Sequence, residues 1–285
     1  MPGRWKPMKC RGGNNMKKAQ LFALLLALGC AALARADDDA KQGEMFLSQH
    51  PDFIVATSGE TNVHHLCFRC EVIHTNRIFR LEAADAAAFA RGRETVVRAL
   101  ARYPIRLVTA HVDRVYVARQ LERKKGDSWV QEAGCSGLRS LYLAQSPAYG
   151  DRFREAVFHH ELCHLLLSAN KKRFSRDAWI RCNPEGFVYQ KDASRFSDPT
   201  PSGLHLADGF VCSYGKSHFE EDVCTYAMWL FVRPDWVLEQ ASMHPRVQAK
   251  LDILLAFYAS MDPFFTMEQF RGHGSARETS APSGA

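Results

Sequence analysis

Residues 151–168 read DRFREAVFHHELCHLLLS, and the reading of this stretch decides the fold. Phe153, Val157 and Leu167 fall on one helical stripe together with His160 and His164. Residues four apart on a helix lie one turn above one another on the same face. His160 and His164 can therefore present two imidazoles to a single ion, with Glu161 beside them. The bland alternative is a pair of core histidines bonded to backbone. His159 lies off the stripe and reads as outside the site.

Working outward, Arg139–Ala144 (RSLYLA) reads as a strand just before this helix. Phe53–Thr57 and Leu66–Ile73 have strand composition, and Leu107–Gln120 contains at least one strand, bounded by Lys125-Gly126-Asp127. Glu82–Arg102 is Ala-rich with helical periodicity and stops before Pro104. Downstream, Asn170–Arg176 is basic and ends the long helix, as suits a helix C-terminus. Asn183–Asp208 reads as a long loop rich in Pro, Gly, Ser and Asp. Glu220–Val232 is helical again, Arg246–Ser260 is an amphipathic helix, and a short one follows from Asp262. The class is α+β, with strands gathered early and helices late. Trp179, Trp229 and Trp236 read as core residues.

The chain has 285 residues, enough for one sizeable domain over residues 37–272. Its formal charge of +6 misleads. Residues 1–36 hold Arg4, Lys6, Lys9, Arg11, Lys17, Lys18 and Arg35 and no acid. Removing those seven from 37 Lys+Arg leaves 30 against 31 Asp+Glu, so the remainder carries −1. Nothing in that balance calls for nucleic acid or an anionic membrane. The basic head reads as a signal peptide: Met16-Lys17-Lys18, the apolar run Leu21–Leu28, then Ala34-Arg35-Ala36 as a cleavage site. Met16 is a candidate start. The apolar run is too short for a membrane span. A second reading takes Gly29-Cys30 as a lipidation point, with Ala27 where Leu is usual. The chain is thus expected to be secreted or periplasmic. The acidic start Asp37–Gly43 and the tail, residues 273–285, read as unstructured.

Export makes disulfides an expectation among Cys67, Cys70, Cys135, Cys163, Cys182, Cys212 and Cys224. Seven is an odd number, so at least one thiol stays free, and Cys163 between the two histidines fits that role. Cys67 and Cys70, near His64, His65 and His74, are read as a disulfide partner region or a second metal site.

A catalytic zinc takes three protein ligands and leaves one position open. Candidates for the third are His218, Glu220, Glu221 and Asp222 at the start of the next helix, with His205 further back. Three acids at a helix N-terminus also simply complement its dipole. Periodicity leans to Glu220, which shares a face with Val223, Ala227 and Phe231, and does not settle the choice.

His160–His164 has the HExxH pattern of zinc metallopeptidases. Gly209–Gly215 (GFVCSYG), followed by Glu221-Asp222, resembles the corresponding segment of lethal-factor-like metallopeptidases. It is also similar to a group of bacterial lipoprotein zinc peptidases. In both, a metal-binding Glu follows a Tyr by seven residues, the spacing from Tyr214 to Glu221. The resemblance covers roughly residues 155–230. It implies a Glu-zincin: a small mixed sheet whose edge strand, Arg139–Ala144 here, lies over the HExxH helix, followed by a helical C-terminal part. It implies Zn²⁺ held by His160, His164 and Glu221, with Glu161 as general base and Tyr214 facing the reacting carbonyl of a peptide or protein substrate. One departure is Thr225, where the family often carries a further acid. The competing expectations are a zinc hydrolase of another amide and a non-catalytic or disulfide-stapled binding protein. Retention of Glu161 beside the ligands argues against a merely structural metal.

Overall fold

The computed structural model describes residues 41, 43–56, 62–69, 74–190 and 199–274. The expected signal peptide, Cys30, Cys70, the side chain of Cys67 and residues 275–285 lie outside the described set. An opening helix, α1 (residues 43–49), precedes β1 (Ile54–Ala56), β2 (Asn62–Arg69) and β3 (His74–Ala83). Then come α2 (Ala86–Leu100), α3 (Ile105–His111), β4 (Arg114–Lys125), β5 (Ser128–Glu132), β6 (Gly134–Gly137) and β7 (Ser140–Ala144). The rest is helical: α4 (Asp151–Ala169), α5 (Arg176–Arg181), α6 (Phe219–Val232), α7 (Pro234–Met243), α8 (Pro245–Met261) and α9 (Met267–Gly274). None of the described helices is long and apolar enough to cross a membrane.

The fold is α+β, a small mixed sheet followed by a helical C-terminal part. β4 is the centre of the sheet. Its first half lies parallel to β1 and β7, and its second half antiparallel to β3 and β5. Val115 points to the main core, where Leu141 and Leu143 of β7 join it beneath α2 and α4, and Val117 is buried against Gly92 of α2. The alternate residues face the other way. Tyr116 and Tyr142, paired in register, stack at 4.8 Å beside a smaller cluster of Phe79, Leu81, Leu121 and Cys135. This period-two division is what two buried faces require of a central strand.

Two expectations need correction. Leu107–Gln120 begins in helix, since Ile105–His111 follows Pro104 and ends where Val112 turns extended; the strand starts only at Arg114. The strand Ser140–Ala144 is not an edge. β7 lies between β4 and β6, and among the described strands β6 pairs with β7 alone. The Gly-containing segment 134–137 was too short to read as a strand. Its closeness to α4 depends on Gly134, where a Cβ would stand 2.5 Å from Val157 Cγ1 and 3.1 Å from Glu161 Cγ.

α4 and α6 are both buried almost all round. From Arg154 to Cys163 every residue of α4 is buried, and from Asp222 to Val232 every residue of α6. The two helices pack against each other, with the sheet and α2 on one side and α7–α9 on the other. The long loop before α6 is pinned at Gly209, whose φ of +84° and 2.9 Å approach to Arg246 Cβ exclude a side chain. Tyr226 of α6 donates to the Gly209 carbonyl at 2.9 Å.

Candidate metal centre

His160 and His164 lie one turn apart on α4, and Glu221 lies in the first turn of α6. His160 Nε2 is 3.0 Å from Glu221 Oε2, His164 Nε2 is 3.3 Å from the same oxygen, and the two Nε2 atoms are 3.2 Å apart. Among the described residues these three form the one group of His, Cys, Asp or Glu arranged to hold a metal. These separations suit imidazolium–carboxylate contacts to Glu221, and a divalent cation would draw the same three donor atoms to one point. Zinc bonds of about 2.0–2.1 Å at tetrahedral angles would set donor atoms about 3.3–3.4 Å apart, close to the separations found. The donor set therefore fits a divalent cation. His160 Nδ1 is buried without a hydrogen-bond partner among the described residues, none of which fixes its tautomer from behind.

The charges of the trio support one another. Burial pulls the His164 imidazolium down, but the Glu221 carboxylate overrides it and raises the pKa to about 10. Burial pushes the Glu221 carboxyl up, yet His164 and His160 hold it well below the usual carboxylate range. Glu161 sits under the edge strand, where Ser136 of β6 donates from Oγ to its Oε2 at 2.9 Å. Tyr214 opens the 3-10 turn Tyr214–Lys216 that precedes α6, its ring 6.0 Å from that of His160. Burial and then the Glu221 carboxylate push its phenol well above 10, so it remains a proton donor.

Each remaining candidate has a place. His218 is the N-cap of α6, its Nδ1 accepting from the Glu220 amide at 3.3 Å. Glu220 stays outside the trio, so the lean of periodicity toward it does not select the residue that meets the histidines. Its premise was a single buried face, and α6 has none. His205 lies in a 3-10 turn, Gly203–Asp208, apart from the trio; burial and then Lys216 lower its pKa. Thr225 donates to the Asp222 carbonyl at 2.9 Å. Among the described residues, Cys163 is a buried free thiol, and Cys182, Cys212 and Cys224 are free as well.

His159 does lie outside the trio, for a stronger reason than the stripe suggested. It is wholly buried, its Nδ1 2.9 Å from Tyr103 Oη and its ring stacked at 4.5 Å on Phe231. Ser136 went unread because a Ser in an unrecognised strand has no sequence signal. Asp222 and Lys250 also went unread as a pair. They meet at 2.7 Å with both side chains fully buried. Burial pushes the Asp222 carboxyl up and the Lys250 ammonium down, against their mutual attraction.

No known protein family, no curated protein and no solved structure matches this chain.

Proposed function

We propose that the protein is a zinc-dependent peptidase of the Glu-zincin type, acting on peptide or protein substrates outside the cytoplasm. The observation that carries this reading is the meeting of His160, His164 and Glu221 donor atoms at 3.0–3.3 Å, with Glu161 immediately alongside. His160, His164 and Glu221 would hold the ion. Bound there, zinc would polarise the scissile carbonyl and make water nucleophilic near neutral pH. Glu161 accepts the proton of the attacking water and delivers it to the leaving amine. Ser136 orients that carboxylate by occupying one of its oxygens. The Tyr214 hydroxyl donates to the carbonyl oxygen as charge gathers on it. The outer edge of β6 offers an extended peptide a strand to pair with.

The test joins two measurements on wild type and Glu161→Gln. Elemental analysis after dialysis should give one zinc per chain for both. A degenerate peptide library should be cleaved by wild type alone. Zinc bound without any cleavage by wild type would move the protein to the non-catalytic class; absence of zinc would end the reading.

A further inference from the structure

Asp222 follows Glu221 directly, and its side chain leaves the site for the interior. Its Oδ2 receives three donors from three separate parts of the chain: Lys250 Nζ of α8 at 2.7 Å, the Tyr189 hydroxyl at 2.7 Å and Trp179 Nε1 of α5 at 2.8 Å. Lys250 is itself caged, its Nζ 3.8 Å from the centroid of the Phe210 ring. Phe210 belongs to the loop that leads to Tyr214 and α6. Arg246, one turn before Lys250 on α8, donates to the carbonyls of Cys182 and Asn183 and so ties the same wall of loop to that helix.

Successive side chains on a helix project about 100° apart, so fixing one residue of a first turn fixes the direction of its neighbour. A carboxylate held by three donors cannot rotate without breaking all of them, and in a dry interior no water replaces them. The first turn of α6 is also held by the His218 cap and by Phe219, whose ring meets Phe174 edge-on at 5.8 Å and lies 5.2 Å beneath the Arg176 guanidinium, but among these ties it is the Asp222 cluster that fixes the residue next to Glu221. We propose that Asp222, locked by Lys250, Trp179 and Tyr189, is a positioning residue. It sets the rotation of α6 at which Glu221 reaches His160 and His164, and thereby sets the metal affinity of the trio. The inference rests on zinc binding at that trio, and it assigns to Lys250, 29 residues beyond Glu221 in the chain, a part in the strength of that binding.

The experiment is a titration of full-length protein with zinc chloride in competition with a chromogenic chelator. It is run at a temperature where circular dichroism shows each variant folded. Lys250→Met should raise the zinc Kd about 10–100-fold, the range found when groups that orient metal ligands are removed. Tyr189→Phe, which removes one neutral donor from a half-buried position, should raise it several-fold and serves as the test if Lys250→Met does not fold. The double variant Lys250→Met/Asp222→Asn removes the unpaired buried charge. It should recover thermal stability without recovering zinc affinity. Wild-type affinity in folded Lys250→Met, or in Tyr189→Phe if that variant alone folds, overturns the proposal. So does a double variant whose affinity returns along with its melting temperature. If wild type binds zinc no better than a His160→Ala/His164→Ala control, the metal reading itself falls, and the positioning role with it.

Discussion

Two pairs of neighbours in this chain part company. On α4, His159 turns into a sealed pocket while His160 turns to the candidate metal centre. On α6, Asp222 turns into the interior while Glu221 turns to the same centre. The residue types within each pair are alike. What differs is what stands opposite. His159 meets the Tyr103 hydroxyl and stacks on Phe231, and Asp222 meets Lys250, Trp179 and Tyr189; Tyr103 and the three donors to Asp222 supply polar partners from the protein itself. His160 and Glu221 meet chiefly each other and His164. Buried polar groups are paired; in the sealed half of each pair the protein supplies the partners of His159 Nδ1 and Asp222 Oδ2, whereas in the other half the proposed cation would complete the arrangement.

The comparison breaks most sharply at the first pair. His160→Ala should abolish stoichiometric zinc binding and all hydrolysis, read by elemental analysis and peptide turnover. Retained zinc in that variant would erase the distinction between the two histidines. Glu161→Gln should keep zinc while turnover falls about 10²–10⁴-fold, the range assigned to loss of a positioned base. Tyr214→Phe should lower turnover by about an order of magnitude or more with zinc intact, since one donor to the developing oxyanion is lost. His159→Leu tests the sealed side. It should cost about 1–3 kcal/mol of stability, because Tyr103 Oη loses a buried partner, and leave zinc stoichiometry unchanged. Denaturant unfolding and metal content together check it. Ser136→Ala should give the smallest change, a drop in turnover with metal content and melting temperature near wild type, through looser orientation of Glu161.

Much of this was legible in residue order. The spacing of His160 and His164 placed both rings on one side of a helix, and that helix runs from Asp151 to Ala169. Glu82–Arg102 contains α2, and Arg246–Ser260 lies within α8. The strand reading of Arg139–Ala144 met β7, but its rank in the sheet was not legible. An edge and an inner strand differ in their neighbours rather than their composition, and the neighbour that covers β7 is a four-residue segment around Cys135. Residues 234–243 carry no clear helical signal of their own, and Pro234, a residue that stops a helix from its interior, here opens α7.

The amino-acid sequence by itself determined the α+β class, the helix that carries HExxH and the pairing of two imidazoles on it. These rest on local periodicity, which a single stretch of chain carries within itself. Periodicity does not separate Glu221 from Glu220; resemblance points to Glu221, and the tertiary structure is what brings Glu221 to those rings. α6 is enclosed on nearly every side, so its apolar residues mark no unique inward face. In such helices the direction of a side chain is set by the partners packed around it, here Lys250, Trp179 and Tyr189 around Asp222, and those partners come from distant parts of the chain.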